Sequence, residues 1–115
     1  MTVLASAALP NFFLQPPEHY FVVDGNNIKD KDSFLREFSA QLGFPEYFGF
    51  NWDAFYDCIT DMSWVNSEHG LLIVYKNAHN FRTAQPEDWQ QASAILLDAV
   101  DYWNKAGKVM VIAFL

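Results

Sequence analysis

Three short apolar runs constrain this chain more than anything else in it. They are Tyr20–Asp24, Leu71–Tyr75 and Val109–Phe114, and the segments between them carry a helical period. The middle run, Leu71-Leu-Ile-Val-Tyr75, is apolar at every position. Continuous apolarity points to a strand buried on both faces, as in a parallel sheet. Strands joined by helical crossovers run parallel, with right-handed connections. The sequence therefore predicts a small α/β domain, a three-stranded parallel sheet packed by helices.

Turn and cap residues divide the helical segments. Gly25-Asn26-Asn27 closes the first run. Asp24 stands at a strand's carboxyl end, where α/β proteins often bind ligands, but the Gly25 that follows favours a turn-forming role. Asp30 is placed to cap a helix carrying Phe34, Leu35, Phe38 and Leu42 on one side, which Gly43 stops. Pro45–Phe50 is a turn rich in aromatics, whose rings, with those of the helix after it, belong mostly to the core. Asn51 caps a helix running from Trp52 to about Asp61, with Trp52, Phe55, Tyr56 and Ile59 as its apolar stripe. Met62–Gly70 is a loop, and Asn77–Thr83 is a connector with room for a helical turn. Pro86 opens a long helix with Glu87 and Asp88 in its first turn and an inner stripe of Trp89, Ala92, Leu96, Val100 and Trp103. Gly107 ends it. Residues 1–17 form an extension of unassigned role beside a domain over 18–115. Pro10, Pro16 and Pro17 break it up, and Phe12, Phe13 and Leu14 suit either packing on the domain or contact with a partner.

The second predicted helix carries Asp53, Asp57 and Asp61, each one turn after the last. Like charges at that spacing repel, by about 0.2–0.5 kcal/mol per pair. Asp53 has the helix dipole in its favour, whereas Asp61 has it against. No Lys or Arg lies between Glu37 and Lys76 to compensate. Local stability therefore does not account for the row. Three readings remain open on the residues alone: a solvated face, a surface for a basic protein, or a divalent-metal site whose further ligands would come from another element. Tyr47 and Tyr56 flank the row and suit a protein-binding anchor.

The formal charge of −7, from 14 acids against 7 bases, argues against direct nucleic-acid binding, which needs clustered Lys and Arg. No apolar run reaches the ~18 residues of a membrane span. Cys58 is the only cysteine, so no intrachain disulfide forms, and its place on the helix flank suits a structural thiol. The opening M-T-V-L-A-S-A-A-L-P has no basic start of the kind a secretory signal carries, so a reducing, cytoplasmic setting is expected. His19, His69 and His79 show no metal spacing, and no nucleotide or nucleophile motif occurs. No cofactor is expected.

The string L-G-F-P-E-Y-F-G-F-N-W-D-A-F-Y-D-C-I-T, Leu42–Thr60, resembles the signature of the barstar family, intracellular inhibitors of a secreted bacterial ribonuclease. The fit is close at Pro45-Glu46-Tyr47, Gly49, Asn51, Asp53-Ala54, Asp57-Cys58 and Thr60, and the order of elements agrees over about 19–115. The resemblance implies no enzyme but an inhibitor of immunity or antitoxin type. It would bind one basic ribonuclease or related nuclease toxin, one to one, plugging the active site with the second helix and the turn before it. By position, Asp57 would be the principal phosphate mimic and Asp53 the second acidic contact. Tyr47, Gly49 and Asn51 would line the approach, and Thr60 the rim. Tyr56 stands where the family has an interface tryptophan, and Cys58 matches a cysteine that is not a nucleophile. Opposite potentials speed such encounters, a rule for which a complex of this same family is the standard illustration.

The chain departs from that pattern in two places. The family's acidic contact on the last helix falls on Tyr102 here, with Asp101 or Asp98 as the candidates to replace it. The family's Gly-Trp after the threonine gives way to Asp61-Met62-Ser63-Trp64 in a longer loop, so the flank of the interface, Asp61 included, is changed. Two rival functions stand beside the inhibitor: a module of the same fold for an unrelated cationic partner, and a small Mg²⁺-dependent enzyme built on the aspartate row.

Overall fold

The computed structural model describes residues 2–5, 19–68 and 70–115. Four strands, β1 (Thr2–Ala5), β2 (His19–Asp24), β3 (Leu71–Lys76) and β4 (Met110–Phe114), form one sheet in the order β1-β4-β3-β2. The three expected strands are parallel, β2 to β3 and β3 to β4. The sequence did not announce the fourth: Thr2–Ala5 pairs antiparallel with β4, Thr2 opposite Phe114. The rest of the N-terminal stretch, residues 6–17, lies outside the described residues, as does His69.

Among the described residues, four α-helices accompany the sheet: α1 (Lys31–Leu42), α2 (Trp52–Asp61), α3 (His79–Ala84) and α4 (Pro86–Lys105). The expected connector at 77–83 is thus largely helical. Asp30 caps α1 as anticipated: its carboxylate accepts the Ser33 N–H at 2.8 Å, while Ser33 Oγ accepts the Asp30 N–H at 3.1 Å. Gly43 ends α1 at φ 69°, the left-handed region that glycine enters without a Cβ penalty. Asp24 takes the turn-forming role, its Oδ1 accepting the Asn26 N–H at 2.9 Å. Gly25 is required there, because a Cβ would sit 2.3 Å from the carbonyl oxygens of Lys76 and Asn77.

The helices share one core with the sheet face that carries Val23, Leu71, Ile73, Tyr75, Met110 and Ile112. Burial along β3 alternates: Leu71, Ile73 and Tyr75 are buried, while Leu72 and Val74 are half-buried. The two-sided burial expected of β3 is therefore complete only on the face that meets this core. Phe34 is the hub, with ring centroids of Phe38, Phe55, Phe81 and Trp52 at 4.4, 5.2, 5.4 and 5.7 Å. Offset and edge-on ring pairs add about 0.5–1.5 kcal/mol each beyond their buried area. Two indoles fasten helix C-termini, where carbonyls lack partners within the helix. Trp64 Nε1 donates to Leu42 O at 3.0 Å, and Trp103 Nε1 donates to Ile59 O at 2.9 Å.

Tyr75 carries an unpaired polar atom into this core. It is 0% exposed, stands among the rings of Phe38, Trp89 and Phe114, and its hydroxyl has no hydrogen-bond partner among the described residues. Burial holds the phenol's pKa far above the ordinary value of 10.0. The unfolded chain therefore releases this proton first as pH rises. The contribution is intact below pH 10.0 and declines above it. Tyr75→Phe should leave stability at neutral pH unchanged or higher by about 1–3 kcal/mol, the cost of an unpaired buried hydroxyl. It should also flatten the alkaline loss, as urea melts at pH 7 and above 10 would record; a marked loss at neutral pH would show that the hydroxyl is bonded.

Candidate functional site

The turn and cap before α2 set its start. Phe48 N–H donates to Pro45 O at 3.0 Å, closing a turn whose Phe48 ring is buried. Asn51 then works in both directions: Oδ1 accepts the Ala54 N–H at 2.8 Å, and Nδ2 donates to Gly49 O at 3.2 Å. These bonds couple the turn to the first helical residues. The tip is aromatic and turned outward. Tyr47 is 77% exposed and Phe50 52% exposed. Phe50 is an exception to the mostly buried aromatics expected here: it sits at φ 49°, in the left-handed region, and its exposed ring lies against Phe48, 4.7 Å between centroids. Its outward pose is the site feature that side-chain chemistry missed, since nothing in the run F-G-F announces a positive φ at the second phenylalanine.

The α2 stripe faces inward through Phe55, Cys58 and Ile59, with Trp52 and Tyr56 half-buried at its border. Cys58 is more buried than a flank position suggested. Burial, then the Asp61 and Asp57 carboxylates, push its thiol pKa up, so it stays protonated and a poor nucleophile at neutral pH. Thr60 turns its hydroxyl back on the helix, donating to Tyr56 O at 2.7 Å. Met62 closes the helix at φ 47°, its N–H reaching Cys58 O.

Asp53, Asp57 and Asp61 are all exposed, and none forms an ion pair among the described residues. The row is not a free-standing helix face. Helix α4 packs alongside α2 and turns the row into one wall of two adjoining clefts. One, of about 380 Å³, is bordered by Asp53, Tyr56, Asp57 and, from α4, Ile95 and Asp98. The other, of about 410 Å³, is bordered by Asp57, Thr60, Asp61, Tyr102 and Lys108. Asp57 belongs to both.

The structure thus gathers most of the predicted residues along one groove. Tyr47, Gly49 and Asn51 border neither cleft; they lie in the turn and cap that lead into α2. Of the two candidates on the last helix, Asp98 borders the groove, whereas Asp101 borders neither cleft and is bonded to Lys105 at 2.8 Å. Asp101 is therefore set apart from the other carboxylates. Tyr102 borders the second cleft and is half-exposed. Among the described residues, no three His, Cys, Asp or Glu side chains converge closely enough to hold a metal ion, and no helix is long and apolar enough to cross a membrane. Exposed, unpaired carboxylates flanked by tyrosines are suited to accepting charge-assisted hydrogen bonds from arginine or lysine.

A family model described as Barstar (barnase inhibitor) matches residues 18–114. Over 56 residues the chain is 34% identical to a Bacillus subtilis (strain 168) protein named "Putative ribonuclease inhibitor YrdF", covering 49% of this chain and 57% of that protein. The chain thus spans little more than half the length of the curated relative it matches.

The repulsion along α2 has a stability consequence. Asp57 has a like charge one turn away on each side, so Asp57→Asn should raise stability by about 0.5 kcal/mol at low salt. The gain should shrink as salt screens the row. Urea melts at two ionic strengths would measure it; a loss of stability instead would give Asp57 a structural task.

Proposed function

Because this chain belongs to the barstar family, we propose that it inhibits a basic ribonuclease by laying α2 and the turn before it across that enzyme's active site, one to one. The observation that carries this reading is that Asp53, Asp57 and Asp98 border one cleft together and none of them forms an ion pair among the described residues. A ribonuclease holds its substrate's phosphates with cationic groups, and carboxylates at phosphate-like positions satisfy those same donors. In this reading Asp57, shared by both clefts, is the central contact. Asp53 and Asp98 extend it on one side, with Thr60, Asp61 and Tyr102 on the other. Tyr47 and Tyr56 supply the large amphipathic surface typical of interface anchors. The chain acts by occupation, so the reading needs no cofactor and no chemical step.

Long-range attraction between such surfaces falls as salt rises, with a screening length of about 8 Å at physiological ionic strength. Binding and inhibition of barnase-type ribonucleases should therefore weaken with added salt. Asp57→Ala should cost about tenfold to a hundredfold in affinity, the range for hydrogen bonds to charged groups. Calorimetry on the wild type and the variant checks both; equal binding by the two proteins would refute the role given to Asp57. The α4 assignment has its own check. Asp98→Ala should weaken the same complex, while Asp101→Ala should leave it within about twofold. The reverse order would place the last-helix contact on Asp101.

A further inference from the structure

Lys108 lies just beyond α4 and reaches into the second cleft, which it shares with Asp57, Thr60, Asp61 and Tyr102. Its head group is positioned rather than loose. Nζ donates to Ser67 Oγ at 3.1 Å, and Ser67 is only 8% exposed. The same Nζ stands 5.7 Å from the centre of the Trp103 ring. That indole is itself buried and tied to Ile59 O. An ammonium carries three donors, and Ser67 takes one.

Two ordinary roles for this lysine fit poorly. A lysine present to quench the aspartate row would pair with Asp57 or Asp61, yet Lys108 forms no ion pair among the described residues although both border its cleft. A lysine present only for solubility would not be held by a buried hydroxyl and a buried indole. Its position is also adverse for a purely cationic partner, because a positive charge in the groove opposes the approach of another.

We infer that Lys108 is a partner-facing donor and that the surface this groove fits is bipolar: cationic over Asp53, Asp57 and Asp98, with a carboxylate opposite Lys108. The inference rests on the reading of the groove as the inhibitory face and adds a specificity element to it. A partner with only positive charge is disfavoured, and one with an acidic group at the edge of its basic cleft is selected. Tyr102 and Thr60, which border the same cleft, flank the point of contact.

The test turns on the sign of one change. Binding of barnase-type ribonucleases, barnase included, is measured by calorimetry for the wild type, Lys108→Met, Lys108→Gln and Asp57→Ala, with a thermal melt of each. Lys108→Met keeps an apolar stem over Trp103, and Lys108→Gln keeps a donor for Ser67, so one serves if the other disturbs folding. The inference expects both to bind about tenfold or more weakly, the loss of one charge-assisted bond. If Lys108 only dampens the field, its removal leaves binding equal or tighter; that result, with Asp57→Ala still weakened, overturns the inference and leaves the inhibitory reading standing. Failure of the wild type to bind any of these ribonucleases, or an Asp57→Ala protein that binds as well as wild type, removes the inhibitory reading and the inference with it.

Discussion

The packing of aromatic rings around Phe34 is the constraint from which the rest of the molecule follows. Phe34 belongs to α1, but the rings it touches come from α2 and α3 as well. Phe38, one turn along, meets both Phe55 of α2 and Tyr75 of β3. Truncating a buried Phe typically costs about 3–5 kcal/mol, since the cavity adds to the lost transfer energy. With Phe55 and Ile59 committed inward, the helical period leaves Asp53, Asp57 and Asp61 no direction but outward. The acidic row is thus a by-product of geometry in its direction and a choice of sequence in its charge.

Helix α4 gives the row its shape. Its inner face is buried through Ala92, Leu96, Ala99, Val100 and Trp103, which fixes its roll beside α2. Trp103 adds a specific bond by satisfying a carbonyl that α2 leaves open at its C-terminus. That roll presents Ile95, Asp98 and Tyr102 to the groove and leaves Asp101 outside it. A residue that ties the two helices together therefore also helps set which carboxylate of α4 joins the acidic surface.

Much of this was readable from the sequence because it is written in local rules. The caps at Asp30 and Asn51, the stop at Gly43, the proline at the head of α4 and the three parallel strands follow from backbone chemistry and hydrophobic period. The position of the aspartate row on α2 follows in the same way. The misreadings share a cause. Thr2–Ala5 is too short to declare itself as a strand without its partner β4, which comes late in the chain. Aromatic residues usually go to the core, and nothing in side-chain type marks Phe50 as the ring that a positive φ turns outward. The groove, and the choice of Asp98 over Asp101, depend on how two helices lie against each other. No local pattern states that.

The placement of β4 between β1 and β3 has a kinetic side. It is the last of the four strands in sequence but an inner strand of the sheet, so β1 gains its neighbour only when Thr2 finds Phe114 across almost the whole chain. Contacts so distant in sequence carry a large loop-closure cost before they return anything. On a ribosome, the sheet cannot assemble in order of synthesis: β2 and β3 can associate early, whereas β1 must wait beside a gap that the final strand fills. β1 can enter the sheet only once β4 exists to pair with it.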